Sequence, residues 1–244
     1  EASADMNLAT TDDGLTPLHI AACHGHEKCV GMLIEANADV NLPTTDYGET
    51  PLYIAAYNGH EKCVAMLLKV NAEMSLARTD NGQTPLYIAA RGGHEKCVAM
   101  LLKANAETSL ARTRYGQTPL YIAAQCGHEK CVTMLTEANA DVNLATNDGW
   151  TPLYAAAQQG NEKCVAMLIK AHADVNVSTN DSQTPLDTAA CHGHEKCVAM
   201  LVEANADVNL ARTDNGQTPL YIAAQEGHEK CVAKLIEASV DVNL

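Results

Sequence analysis

In the stretch "GHEKCVAML", residues 93–101, His94, Glu95, Lys96 and Cys97 stand side by side. A thiol next to two potential cations has the pattern of an activated nucleophile, because nearby positive charge stabilises the thiolate. A His and a Cys three residues apart are also spaced as two metal ligands can be. The same constellation recurs after His26, His60, His128, His194 and His228, and Asn161-Glu162-Lys163-Cys164 is a seventh copy. A second anchor, Thr-Pro-Leu, starts at Thr16, Thr50, Thr84, Thr118, Thr151, Thr184 and Thr218, with successive spacings of 34, 34, 34, 33, 33 and 34 residues. A fixed period of this size means stacked structural units. A catalytic centre is a single asymmetric constellation, so seven copies argue for scaffold. The expectation is a structural His and a core Cys, with no catalytic residue, no cofactor and no metal ligand among them.

Two further patterns invite chemistry. "CHGH" at Cys23–His26, and again at Cys191–His194, offers three soft ligands in four residues. The two copies are five repeats apart and nothing acidic or thiol-bearing is placed to complete either, so no metal site is expected. A metal- or redox-responsive role would rest on Cys23, Cys126 and Cys191, the cysteines outside the repeated position. No Gly-rich phosphate loop stands between a strand and a helix, and no isolated Ser/His/Asp set stands out. Asn180-Asp181-Ser182 is formally a glycosylation sequon, but the thiol count opposes secretion.

Composition narrows the partner. The chain has 244 residues with a net charge of −14, which speaks against nucleic acid and anionic membranes and toward another protein with a basic or apolar surface. Hydrophobic residues make up 47% but aromatics only 4%, with no Phe, so small and aliphatic side chains must fill the interior. Seven of the ten cysteines, Cys29, Cys63, Cys97, Cys131, Cys164, Cys197 and Cys231, occupy one position per repeat. Such a row in a core consists of small buried hydrophobes rather than disulfides. Unpaired thiols in this number predict a reducing, cytoplasmic location. No apolar run approaches the length of a membrane span and no signal peptide is visible, so no membrane insertion is expected. A monomer is expected. The first residue is not Met, which reads as processing or as excision from a longer protein.

The elements that must position these residues repeat as well. "RTDNGQ", residues 78–83, is a turn, with Gly82 free to take positive φ. Thr84-Pro85 is an N-cap followed by Pro at the first helical position. A short first helix stops at Gly93, and His94 opens a second helix, with Asn161 as N-cap in the fifth repeat. Cys97, Val98, Leu101 and Leu102 form a one-sided apolar stripe that ends at Asn105. One such turn and helix pair cannot bury its own apolar faces and must stack. The repeats run 9–42, 43–76, 77–110, 111–144, 145–177, 178–210 and 211–244, and residues 1–8, "EASADMNL", read as the tail of a preceding repeat.

"DNGQTPLYIAARGGHEKCVAMLLKANAE" resembles an ankyrin repeat, whose mark is Thr-Pro-Leu-His-x-Ala-Ala, then Gly-His, then a Val-Leu-Leu helix. The resemblance covers essentially the whole chain as one domain. It implies an all-α solenoid of stacked helix-turn-helix units with protruding turn or hairpin loops, binding proteins through the turn tips and inner helices of its concave side. Departures from the pattern include Tyr for the His after Thr-Pro-Leu at Tyr53, Tyr87, Tyr121, Tyr154 and Tyr221, with Asp187 the odd one. Asn37, Asn71, Asn105, Asn139 and Asn205, with His172 and Ser239 elsewhere, replace the Gly that usually ends the second helix. Lys234 replaces the Met of the six earlier copies and reads as a solvent-facing cap. Leu-x5-Asp-Val-Asn, as at Leu33…Asn41 and Leu135…Asn143, also resembles the context in which asparagines of ankyrin arrays are hydroxylated in animal cells; the plainer reading is an Asn that organises the inter-repeat turn.

Scaffold positions are common to all repeats, so a particular partner must be read where repeats differ. Those positions give Tyr47, Tyr57, Arg91, Arg114, Tyr115, Gln125, Trp150, Gln158 and Gln159 in repeats two to five. Tyr, Trp and Arg are the residue types enriched at interface hot spots. Trp150 has a competing reading as a half-buried lid over a neighbouring turn, and the row Tyr53, Tyr87, Tyr121, Tyr154 reads as inter-repeat packing with hydroxyls bonded to the next repeat. The expected function is a non-catalytic protein-interaction scaffold. The alternatives are the targeting array of a longer enzyme, channel or effector, and a designed consensus-like array, against which the uneven spacing and Asp187, Ser182 and His172 stand.

Overall fold

A computed structural model of the chain describes residues 4–76, 78, 80–108 and 112–241. The repeat-boundary residues Ala77, Leu110, Ala111 and Leu244, the first three residues of the expected tail and Asn243 lie outside them. Among the described residues there are fourteen helices and no strand, as the all-α reading expects. The first helices of the pairs are α1 (Pro17–Cys23), α3 (Pro51–Tyr57), α5 (Pro85–Gly92), α7 (Pro119–Cys126), α9 (Pro152–Gln158), α11 (Pro185–Cys191) and α13 (Pro219–Gln225). The second helices are α2 (Glu27–Glu35), α4 (Glu61–Lys69), α6 (Glu95–Lys103), α8 (Glu129–Glu137), α10 (Glu162–Lys170), α12 (Glu195–Glu203) and α14 (Glu229–Asp241). The chain forms two compact units, residues 1–114 with α1–α6 and residues 115–244 with α7–α14.

Each first helix starts as the sequence dictates. The threonine of Thr-Pro-Leu is extended at the N-cap and its hydroxyl accepts the N–H three residues on, as Thr50 does from Tyr53 at 3.2 Å, while Pro takes the first turn, where no N–H is required. The second helices end where Asn37, Asn71, Asn105, Asn139, His172 and Asn205 take φ between 58° and 65°. In the first of these, the Ala38 N–H returns to the Leu33 carbonyl at 2.9 Å, closing the last turn in the Schellman manner. Ser239 departs from that rule: α14 runs through it, and its hydroxyl donates to the Leu235 carbonyl within the helix.

Within the first unit α1, α3 and α5 stack side by side, α2, α4 and α6 form the second row, and each first helix packs on its own second helix. The second unit repeats this with α7, α9, α11 and α13 against α8, α10, α12 and α14. The Ala-Ala pairs Ala55-Ala56 and Ala123-Ala124 are fully buried and let the rows approach closely. The leucines Leu52, Leu67, Leu86, Leu101, Leu120, Leu135, Leu153 and Leu168 are buried to within 1% and form the apolar interior, each worth about 1.5–3 kcal/mol of burial.

Candidate functional site

The His-Glu-Lys-Cys motif resolves into three jobs. The His side chain reaches backward to the preceding repeat: in the first unit His60 Nε2 donates to the Cys23 carbonyl and His94 Nε2 to the Tyr57 carbonyl, both at 2.9 Å. In the second unit His194 donates to the Gln158 carbonyl at 3.0 Å and His228 to the Cys191 carbonyl at 2.9 Å. Carbonyls only accept, so these bonds assign the proton to Nε2. The His thus plays the structural part expected of it and ties one repeat to the next. Asn161 does the same with Nδ2, 2.9 Å from the carbonyls of both Ala124 and Gln125, and makes no side-chain cap to α10, contrary to its sequence reading. The recurring Gly before the His has a steric cause. A Cβ on Gly59 would lie 2.5 Å from His94 Nδ1, at a residue whose φ of +71° already disfavours a side chain.

Glu and Lys form a surface ladder. Lys62 pairs with Glu27 and Lys96 with Glu61 at 2.9 Å in the first unit; Lys163–Glu129, Lys196–Glu162 and Lys230–Glu195 follow at 3.0–3.2 Å in the second. The lysines are about three-quarters exposed, so each pair contributes little by itself. The Lys is consequently turned to its carboxylate and not to the thiol. Cys63, Cys97, Cys131, Cys164, Cys197 and Cys231 are buried to within 1%. Burial, reinforced by the glutamate of the preceding repeat, pushes the Cys97, Cys164 and Cys197 thiols up to about 11. A protonated, enclosed thiol is the opposite of an activated nucleophile. Cys29 alone in this row is exposed, and none of the ten cysteines is joined to another.

The CHGH segments place His24 beside His26 with ring centroids 5.6 Å apart, and His192 beside His194 at 6.0 Å. Among the described residues no group of three or more His, Cys, Asp or Glu side chains is arranged to hold a metal ion. The Asn of the Asp-Val-Asn segment is an inter-repeat clip. Asn41 Oδ1 accepts the Glu73 N–H at 2.8 Å, and Asn143 and Asn176 accept the N–H groups of Asp174 and Asp207 at 2.9 Å.

The tyrosine row packs as expected. Tyr53 is 2% exposed and its hydroxyl donates to Gln83 Oε1 of the next repeat at 3.0 Å; Tyr154 does the same to Gln183 at 2.7 Å. Burial pushes the Tyr53 phenol up to about 12. The variable positions present a different face. In the first unit Tyr47 and Tyr57 are 50% and 57% exposed, and Arg91 and Arg114 are exposed. Tyr47 is held from below, with the Arg78 guanidinium 4.6 Å from its ring centroid and 5.8 Å from that of Tyr53. Arg78 is itself paired with Glu49 at 3.1 Å and Asp80 at 3.0 Å. Arg78 escaped the sequence reading although it lies in the quoted turn; the signal was an Arg at the same turn position in Arg78, Arg112 and Arg212. In the second unit Tyr115 is 51% exposed while its carbonyl accepts the Asn147 N–H, and Gln159 is exposed. Gln125, Gln158 and Trp150 are half-buried, and Trp150 stacks on Tyr154 with centroids 5.6 Å apart. Trp150 thus rests on α9 of its own repeat.

Tandem helix pairs joined by turns, knit within each unit by recurring side-chain bonds, define a repeat protein. A family model described as ankyrin repeats (3 copies) matches residues 2–78, 70–146 and 139–212, and a model of the ankyrin repeat matches residues 215–244. The chain belongs to the ankyrin repeat family. No curated protein sequence matches it. Among solved structures, it resembles the human ASB11 ankyrin repeat domain with a TM-score of 0.81 and 26% identity, over 90% of this chain and 98% of that one. It also resembles the ankyrin repeat domain of Bcl-3, a member of the IkappaB protein family, with a TM-score of 0.77 and 25% identity, over 92% of this chain and all of the other. Ankyrin repeat domains are generally protein-interaction modules, and among the described residues no helix is long and apolar enough to cross a membrane.

Proposed function

We propose that this chain is a non-catalytic scaffold that captures another protein on its turn tips and first-helix ends. In the first unit the contact residues are Tyr47, Tyr57, Arg91 and Arg114; in the second they are Tyr115, Gln125, Trp150, Gln158 and Gln159. The observation that carries this reading is a contrast between two sets of tyrosines. The set common to the repeats is buried at Tyr53, Tyr87, Tyr121 and Tyr154, with Tyr221 at 55% exposed the exception, whereas Tyr47 and Tyr115, which share one turn position, and Tyr57 are half exposed or more. Large aromatic surface left half open to solvent is what an interface hot spot uses. The net charge of −14 favours a partner with a basic or apolar contact surface. The chain acts as a monomer, and its buried unpaired thiols suit a reducing cytoplasm.

The test is capture from an extract of the source cells by immobilised wild-type chain and by the Tyr47→Ala/Tyr57→Ala/Tyr115→Ala variant, read by mass spectrometry. These side chains are exposed, so helicity should not change. Proteins held by the wild type should be lost from the variant; retention of the same set at equal amounts would remove these residues from the site.

A further inference from the structure

The turn "RTDNGQ" occurs twice, at residues 78–83 in the first unit and 212–217 in the second, and residues 76–90 and 210–224 are identical. Each turn holds an Asn-Gly dipeptide, Asn81-Gly82 or Asn215-Gly216. Asn before Gly is a chemically weak point, because Gly has no Cβ to keep its nitrogen away from the side-chain amide carbon of the Asn. Locally the two turns bond alike. The Gly82 N–H donates to the Arg78 carbonyl and the Gly216 N–H to the Arg212 carbonyl, both at 2.9 Å. Asn81 Oδ1 accepts the Gln83 N–H at 2.9 Å, and Asn215 Oδ1 accepts the Gln217 N–H at 3.0 Å. Equal sequence and equal local bonds give the two dipeptides the same intrinsic reactivity, so a difference between them must come from the surroundings.

The surroundings do differ. The first turn is fastened from both sides: the Asn81 carbonyl accepts the Arg114 N–H of the next turn at 2.9 Å, and Arg78 is paired with Glu49 of the preceding repeat at 3.1 Å. A Cβ on Gly82 would lie 3.2 Å from the Arg112 carbonyl oxygen, whereas one on Gly216 would meet nothing within 4 Å. Asn215 and Gly216 are exposed, Arg212 Nε has no hydrogen-bond partner, and among the described residues no backbone N–H reaches the Asn215 carbonyl. The third Asn-Gly dipeptide, Asn58-Gly59, is held too. Asn58 Nδ2 donates to the Ile54 carbonyl at 2.9 Å, and Gly59 lies against the His94 ring. We propose that Asn215 is a site of spontaneous covalent modification, deamidation through a succinimide with Gly216, and that Asn81 and Asn58 are spared by the contacts around them. The co-reactants are hydroxide and water. Hydroxide takes the Gly216 N–H proton, the nitrogen bonds to Asn215 Cγ, and the Cγ–Nδ2 bond breaks with release of ammonia. Water then opens the imide at Cγ to give aspartate, or at the main-chain carbonyl to give isoaspartate; nothing is oxidised or reduced. The ring forms only when the bond from Gly216 to Arg212 opens, and a turn without outside fastenings opens more readily. The product carries a new negative charge beside Asp214. Isoaspartate also lengthens the main chain by one carbon, which pulls against the 2.9 Å bond from the Arg212 N–H to the Gln217 carbonyl.

The experiment holds the full chain at mildly alkaline pH, native and in guanidinium chloride, and follows it over weeks by tryptic peptide mapping with mass spectrometry. The peptides that begin after Arg78 and Arg212 differ beyond Ala90 and Ala224, so the two sites are read separately. Isoaspartate is scored by enzymatic carboxyl methylation. In the native chain Asn215 should convert roughly 10-fold or more faster than Asn81 or Asn58, as expected where neighbouring contacts suppress local opening. In denaturant Asn81 and Asn215 should convert at equal rates. Asn215→Gln should remove the acidic species that accumulates in the native chain. Conversion of Asn81 or Asn58 as fast as Asn215 in the native chain would overturn the proposal. So would an Asn215 that survives natively while the denatured chain converts it. Unequal rates at Asn81 and Asn215 in denaturant would overturn it as well, because the difference would then belong to the sequence.

Discussion

His19 in the first repeat and Asp187 in the sixth stand at one position, three residues after the cap threonine, where Tyr53, Tyr87, Tyr121, Tyr154 and Tyr221 stand elsewhere. Both are fully buried and both close a capping box with their threonine. His19 Nδ1 faces the Thr16 N–H at 3.1 Å and its hydroxyl at 2.7 Å, and Nε2 donates to the Glu49 carbonyl of the next repeat at 3.1 Å. Every polar atom of the ring is used. In Asp187 one oxygen accepts the N–H and O–H of Thr184 at 2.9 and 3.0 Å, and the other is buried with no partner. Arg212 Nε, which belongs to the next repeat, is buried without a partner too. The equivalent Arg78 lies over the Tyr53 ring, and Tyr53 reaches Gln83. The position thus asks for a side chain that spans from its own cap to the following repeat. Tyr and His are long enough to make a bond there, and Asp stops short, leaving two buried atoms without a hydrogen-bond partner.

The comparison can be broken most directly by removing the longer reach. His19→Ala deletes a buried ring and its bonds at both ends, and should cost about 3 kcal/mol in urea unfolding followed by circular dichroism. A loss below about 1 kcal/mol would mean that the bridge to Glu49 carries little. Asp187→Tyr restores the reach and should stabilise the second unit by about 1–2 kcal/mol by relieving a buried unsatisfied carboxylate. A lower melting point would show that the space beside Arg212 does not admit a ring. The rule of reaching the next repeat applies at the tails also. Ser75 stands where Asn7 and Asn41 make their clips, beside a cavity of about 510 Å³ lined in part by Ser75, Asn105 and Glu107. Ser75→Asn should let the side chain accept the Glu107 N–H and add about 0.5–1 kcal/mol, with slowed hydrogen exchange at that amide as the check.

The smallest effect is on pH dependence, where the two residues should act with opposite sign. Burial lowers the His19 pKa below 6.5, so its contribution to stability is complete above 6.5 and is lost as pH falls from there through the folded value. Burial raises the Asp187 pKa above 3.8, against the opposing pull of its Thr184 bonds and of Arg212. Its contribution is therefore complete below 3.8 and is lost as pH rises through the folded value. The advantage of Asp187→Tyr over the wild type should accordingly be larger at neutral pH than near 3.8, and that of the wild type over His19→Ala should shrink below 6.5. Parallel pH profiles for either variant and the wild type would contradict the assignment for that residue.

Much of this was legible beforehand, because it depends on neighbours in sequence. Thr-Pro starts a helix through its own hydroxyl and ring, Asn ends one through its tolerance of positive φ, and a 33–34 residue period obliges the pairs to stack. The buried thiol row and the exposed Tyr47, Tyr57 and Tyr115 follow from which positions repeat and which vary. Contacts between repeats were not legible. A sequence separation of 37 residues between His94 and the Tyr57 carbonyl has no local signature, nor does the seat of Arg78 under Tyr47. By itself, then, the sequence determined the helix pairs, their caps and their period, since those obey short-range steric and hydrogen-bonding rules. Only the tertiary structure decided which side chain of one repeat meets which atom of the next, and therefore that Asp187 falls short and that Cys29 is open, because those outcomes depend on distances between residues a full repeat apart.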